Sequence, residues 1–224
     1  MSIRVALVNK DTYRCLLIAN TLGSKGFEIT QILHTFSQLS QALEAAVPDV
    51  LIISFSEDAV NEIALVEKVR SKNPRIGLVF LTSTPDLRLL GLVEKELPKG
   101  AQVIFKKSIT DLHILSRAIY DAVDTSKIGS PVSWVTGNSF TDGSESFSTL
   151  SALTQVQIET LRLVAQGRSN AEIAQIRFVT EKAVEHTITR LLSALNITSN
   201  PRNNSRVMLA REYYRWVEVP KAKV

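Results

Sequence analysis

Lys182, His186, Thr189 and Arg190 recur at steps of four, three and one through the run EKAVEHTITRLLSAL. At 100° per residue that spacing puts an ammonium, an imidazole, a hydroxyl and a guanidinium on one side of a helix, with Ser193 continuing the row. Val184, Ile188, Leu191, Leu192 and Leu195 fall on the opposite stripe, and Glu185 and Thr187 flank it. Donors and acceptors in such a row suit base edges in the major groove of DNA, where Glu185 would accept from a cytosine amine. A solvated surface helix carries a similar face, so the elements around it decide between the two readings.

Those elements are written with their own start and stop signals. Thr154 with Gln157 forms a capping box, and Leu153 with Ile158 sits where a hydrophobic staple closes a helix entry. Ile158, Leu161, Val164 and Ala165 give a helical apolar period, and Gly167 follows as a stop. Ser169 with Glu172 is a second capping box, opening a short helix with Ile173 and Ala174 inward. Phe178 and Val179 make an apolar turn, and Thr180 caps the donor-bearing helix. Two short helices at a tight turn, the second with a polar outer face, form the helix-turn-helix pattern.

Residues 153–195 resemble the LuxR-type helix-turn-helix of bacterial transcription regulators. The matching residues are Leu153-Thr154, the LRLVAQG stretch, Ser169-Asn170 with Glu172-Ile173-Ala174, and Glu181-Lys182 with Val184. The resemblance implies double-stranded DNA as a partner, with Lys182, Glu185, His186, Thr189 and Arg190 as the contacting residues. Glu185 stands where many members carry Lys, and Thr187 where His is usual.

The amino-terminal half has a different rhythm. Apolar runs at Ile3–Val8, Phe27–Leu33, Val50–Ile53, Ile76–Leu81 and Val103–Phe105 read as strands. Helices are expected over 12–22, 37–46, 60–71, 86–97 and 110–123. Five strand–helix units in alternation predict an α/β fold, a doubly wound five-stranded parallel sheet. Such sheets bind ligands beyond the carboxyl ends of their strands. Those ends offer Asn9, Lys10 and Asp11, then Ser54, Thr82 and Lys107. The arrangement resembles the receiver domain of bacterial response regulators, and with the carboxy-terminal part it implies the NarL/LuxR type. That family places an acidic pair after the first strand, an Asp phosphate acceptor after the third, Thr or Ser after the fourth and Lys after the fifth. Here VALVNKD and PDVLIISF put Asn9 and Lys10 at the acidic pair and Ser54 at the acceptor, while Thr82 and Lys107 match. Mg²⁺ takes hard oxygen ligands, usually with carboxylates, and a Ser hydroxyl without metal or base is a poor acceptor. The expectation is a degenerate phosphorylation pocket, in which Lys107 bonds Ser54 or Asp11 as a structural latch.

The 224 residues suffice for two modest domains, with 45% apolar and 21% charged residues. The expected division is a receiver-like domain over 1–124, a linker over 125–150 and a helix-turn-helix domain over 151–224. The net charge of +4 is uneven, with net zero over 1–124, −1 over 125–148 and +5 over 149–224. The excess lies on the segment read as DNA-binding. Cys15 is the single cysteine, so an intrachain disulfide is excluded and a reducing cytoplasm is expected. No apolar run reaches transmembrane length. His34, His113 and His186 are too scattered for a zinc site, and neither a phosphate loop nor a catalytic constellation is present, so no enzyme and no cofactor is expected.

The linker is rich in Ser, Thr and Gly, and its Trp134, Phe140 and Phe147 either dock on a domain or are incidental. SRVMLAREYYRWVEV reads as a last helix whose Tyr213, Tyr214 and Trp216 exceed what one helix needs for its own bundle. In the family this helix supports dimer contact, so a homodimer is expected. Arg202, Arg206, Arg211 and Arg215 either touch phosphates or solvate the helix. The function expected is a sequence-specific DNA-binding transcription regulator, controlled without aspartyl phosphate by oligomerisation, a protein partner or a small ligand. The competing reading is an interaction adaptor with little specific DNA binding.

Overall fold

The structure is a computed structural model that describes residues 2–56, 58–109, 111–135, 145–198 and 204–217. The chain divides into two compact units, one of residues 1–83 with 93–141 and one of residues 84–92 with 142–224.

The first unit is a parallel sheet in the order β2-β1-β3-β4-β5-β6. Its strands are β1 (Arg4–Val8), β2 (Glu28–Leu33), β3 (Val50–Ser54), β4 (Gly77–Thr82), β5 (Gln102–Phe105) and β6 (Ser133–Trp134). The order reverses at β1, which pairs with both β2 and β3, so the crevice of a doubly wound sheet opens beside the ends of β1 and β3. β3 and β4 are buried along their whole length, as continuous apolar strands covered on both faces must be. The helices are α1 (Thr12–Ser24), α2 (Leu39–Ala45), α3 (Ala59–Lys72) and α4 (Leu112–Ile128). Ala118, Ile119 and Ala122 of α4 close one core with Val5, Leu7, Ile52, Val79 and Ile104.

Three local expectations change. The sheet has six strands, because part of the stretch read as linker pairs in parallel with β5, Val103 opposite Trp134. The Trp134 indole donates to Glu94 Oε2 at 3.0 Å, so this aromatic docks. Phe140 and the Phe147 side chain lie outside the described residues. Residues 125–128, also read as linker, complete α4.

The helix expected over 86–97 is absent. Two 3₁₀ turns, Leu87–Leu90 and Glu94–Glu96, stand in its place. Gly91 between them sits at φ +79°, in the left-handed region that ends a helix.

Gly77 opens β4 under α4. A Cβ there would lie 2.9 Å from the Ala122 carbonyl carbon and oxygen. Gly23, inside α1, has open space around the same atom and no left-handed φ. Gly77→Ala is therefore expected to destabilise the first unit by about 1–3 kcal/mol through overpacking. Gly23→Ala should stabilise by up to about 1 kcal/mol. Trp134 fluorescence during urea unfolding in a Trp216→Phe background reads both.

Candidate nucleic-acid interface

The second unit is built on helices α5 (Glu145–Ala152), α6 (Gln155–Ala165), α7 (Asn170–Arg177), α8 (Glu181–Ala194) and α9 (Ser205–Val217). The Thr154 hydroxyl accepts from the Gln157 N–H at 3.3 Å, and Gln157 Oε1 accepts from the Thr154 N–H at 2.8 Å. Ser169 and Glu172 repeat the arrangement at the start of α7. The Ser169 backbone N–H, with the Arg168 guanidinium and the Ser169 hydroxyl behind it, holds the Glu172 carboxyl below its usual range. The box is therefore charge-assisted at neutral pH. α7 ends in Phe178, left-handed at φ 53°, and the Val179 N–H returns to the Ala174 carbonyl at 3.0 Å. The chain then turns into Thr180, whose hydroxyl accepts from the Ala183 N–H and fixes the first turn of α8.

α8 is anchored by Val184, Ile188 and Leu191, which join Ile158, Leu161, Ile173 and Leu209 in one core. Lys182, Glu185, His186, Thr189 and Arg190 are all exposed. Among the described residues, no salt bridge or side-chain hydrogen bond engages Lys182, Glu185, His186 or Arg190. The Thr189 hydroxyl instead donates to the Glu185 carbonyl at 3.0 Å, and Thr187 to the Ala183 carbonyl at 2.9 Å. With its proton committed to the helix, Thr189 offers lone pairs and a methyl group outward. It suits an amine donor or a thymine methyl on the base edge.

The arginines of α9 divide. Arg206 donates to Asn170 Oδ1 at 2.7 Å and to the Arg168 carbonyl, tying α9 to the start of α7. Arg211 and Arg215 both pair with Glu212, at 3.6 and 2.7 Å. Arg202 lies outside the described residues. Of the aromatics, Tyr213 is buried and Trp216 packs partly on the core, leaving Tyr214 with Val207 as exposed apolar surface. Arg177, not singled out in the sequence, pairs with Glu159 and donates to Thr160 Oγ1, locking α7 on α6.

In the first unit the strand ends bring Asn9, Lys10, Ser54, Thr82 and Lys107 to the carboxyl edge of the sheet. Asn9 Oδ1 accepts from the Asp11 N–H, and its Nδ2 is buried without a partner. Asp11 caps α1 and pairs with Arg14. Lys10 donates to Ser56 Oγ at 3.2 Å, and Ser56 donates from both hydroxyl and backbone to the buried Glu62. Glu62 had no signal in the sequence, where it reads as one polar position of α3. The Ser54 hydroxyl is buried and makes no hydrogen bond, and the Asp11 carboxylate binds Arg14, so the expected latch from Lys107 to Ser54 or Asp11 is not formed. Lys107 is exposed in the turn after β5, and the neighbouring Lys106 donates to Ser83 Oγ. Thr82 is fully buried at the end of β4. Asp49 lies at the opposite end of β3 and binds Arg4 at 2.9 Å. The five positions singled out at this edge supply an amide, two ammonium groups and two buried hydroxyls, and no carboxylate of the kind Mg²⁺ draws on. Among the described residues, no three His, Cys, Asp or Glu side chains gather as metal ligands.

A receiver-like parallel sheet with a capped helix-turn-helix unit defines a response-regulator transcription factor. Residues 151–203 match the family described as bacterial regulatory proteins, luxR family. Over 160 residues the chain is 32% identical to the oxygen regulatory protein NreC of Staphylococcus epidermidis, a span covering 69% of this chain and 72% of that protein. Over 160 residues it is also 29% identical to NreC of Staphylococcus carnosus, with the same coverage. The chain belongs to the luxR family of bacterial regulatory proteins, among its response regulators, and is a DNA-binding transcription regulator and not an enzyme. The fold agrees with the two-component response regulator RcsB in an RcsB–DNA complex, at 17% identity and TM-score 0.54 over 97% of this chain and all of that one. It agrees also with RcsB of Salmonella enterica serovar Typhimurium bound to promoter P1flhDC, at 16% identity and TM-score 0.52 over 96% and 100% of the two chains.

Thr180 sets the register of α8 without belonging to its outer face. Thr180→Ala should therefore cost about 0.5–2 kcal/mol of stability. His186→Ala should leave stability within about 0.5 kcal/mol. Urea unfolding followed by Trp216 fluorescence in a Trp134→Phe background separates the two.

Proposed function

We propose that the protein binds double-stranded DNA sequence-specifically through the outer face of α8, with Lys182, Glu185, His186, Thr189 and Arg190 directed to the major groove. One observation carries this reading. Four charged or titratable side chains stand exposed, and without partners among the described residues, on a helix whose rotation is fixed by a cap and a buried stripe. A helix that merely solvates a domain gains from pairing its charges, and this one leaves them open. RcsB, a protein of this fold, has been captured in complex with DNA, which points the same way. The working species is a homodimer. One helix-turn-helix reads few base pairs, and two-fold pairing supplies the missing affinity. Tyr214 and Val207 on α9 supply apolar surface for the pairing. RcsB, too, has been seen as dimers bound to DNA.

Control runs without aspartyl phosphate, through a regulatory protein or a small ligand at the first unit. Asn9, Lys10 and Ser54 offer no carboxylate to metal or phosphoryl group, and the Lys10 charge is held beside Ser56. The cytoplasm is the compartment that fits a DNA partner. No helix among the described residues is long and apolar enough to cross a membrane.

Selection of bound duplexes from a random pool gives the test. His186→Ala or Thr189→Ala should change the preferred bases, at about 1–3 kcal/mol per lost contact. Native affinity should fall steeply with salt, and two chains should occupy each selected duplex. Binding without sequence preference, or unchanged preference in both variants, would move weight to the adaptor reading.

The first unit should stay unmodified with acetyl phosphate and Mg²⁺. Ser54→Asp alone should not restore phosphorylation, because Asn9 and Lys10 still stand at the metal position. Intact-mass measurement reads both, and stoichiometric phosphate on the native chain would end this account of control.

A further inference from the structure

Residues 84–92 leave the end of β4 and fold into the DNA-binding unit. Leu89 is fully buried in the core that holds Leu150, Leu153, Ile158, Leu161 and Tyr213. The Tyr213 hydroxyl donates to the Leu89 carbonyl at 2.9 Å, joining the segment to α9. Arg88 donates to the Leu153 carbonyl at 2.8 Å and to the Leu150 carbonyl at 3.4 Å, at the carboxyl end of α5. A guanidinium there meets the negative end of the helix dipole, sharing the Leu150 carbonyl with the Leu153 N–H. Asp86 accepts twice from Arg88 Nε and once from Nη2, the last at 2.6 Å, which fixes the plane of the guanidinium. Among the described residues, the Asp86 carboxylate bonds only within the segment, to the Arg88 backbone and side chain. Gly91 ends the excursion in a left-handed turn, where a Cβ would lie 3.1 Å from the Arg162 guanidinium carbon.

We propose that residues 84–92, inserted between β4 and β5, are a strap that holds α5 and α9 of the DNA-binding unit in place. Arg88 completes α5, Tyr213 and Leu89 hold α9, and Asp86 is the positioning residue that sets Arg88. The recognition face of α8 stays exposed with the strap seated, so the device acts on the helices that brace and pair the unit. Its mechanics stand on the contacts above, and only its purpose rests on the DNA-binding reading.

Amide hydrogen exchange on the full chain tests it. Arg88→Ala should speed exchange in residues 149–153 by about tenfold, the worth of a charge-assisted bond. Asp86→Ala touches neither α5 nor α9 and should speed the same amides. The double variant should add nothing to Arg88→Ala alone. Tyr213→Phe, a change too small to unfold the unit, should speed exchange in 205–217 by about threefold. Protection in β1 and β3 should stay unchanged throughout. Asp86→Ala without effect on α5, additive effects in the double variant, or Tyr213→Phe without effect on α9 would each overturn the strap. A native chain that binds no duplex would overturn the DNA-binding reading and leave the exchange result standing.

Discussion

The phase of α8 about its own axis governs everything proposed for its outer face. Val184, Ile188 and Leu191 enter the core of the second unit, and a shift of one residue would turn the helix by 100° and carry His186 and Thr189 away from the row. Two independent constraints oppose that shift. Burying the stripe is worth about 1.5–3 kcal/mol for each large aliphatic side chain. The Thr180 hydroxyl admits one starting residue only, because it must meet the Ala183 N–H. The boxes that open α6 and α7 do the same for the scaffold, and Arg177 and Arg206 lock α7 between α6 and α9. The outer row of α8 is thus positioned by groups that do not belong to it.

The first unit solves a different problem at its strand ends. Ser54 and Thr82 are buried at the carboxyl edge of the sheet, and Glu62 beneath it is satisfied by Ser56. A carboxylate in such a place normally costs more than its neighbours return, unless two strong donors meet it. Here the backbone N–H and hydroxyl of Ser56 do so, and Lys10 approaches Ser56 from outside. Ser54, Thr82 and Glu62 keep their polar groups inward, whereas Lys10 and Lys107 stand exposed at the same edge. The unpartnered Ser54 hydroxyl and Asn9 amide are its open ends.

Much of this was legible in the sequence, and the reason is range. Capping boxes, the stripe of α8 and the alternation of strands with helices are carried by residues within four or five positions of each other. Local physics alone writes them. The cap of Thr180 and the exposed row from Lys182 to Arg190 were found that way. The helix expected over 86–97 failed because Leu90, Val93 and Leu97 mimic a helical period while Gly91 breaks it, and a lone Gly inside such a pattern is a weak signal. The strap left no trace, since Leu89 meets Tyr213 across 124 positions. Lys107 matched a family position, but a latch to Ser54 needed a distance that no spacing supplies. Tyr213 read as spare apolar surface for the same reason, because the residue that covers it comes from another part of the chain.

The reach of that contact also has a consequence for biosynthesis. Tyr213 leaves the ribosome 124 residues after Leu89. At about 5–20 residues per second the interval is roughly 6–25 s. The sheet strands before and after the excursion are complete long before its partner helix exists. During that interval Leu89, fully buried in the finished protein, has no α9 to cover it. A nascent chain of this design carries an apolar loop in waiting, and chaperones that bind short leucine-rich segments would meet it there.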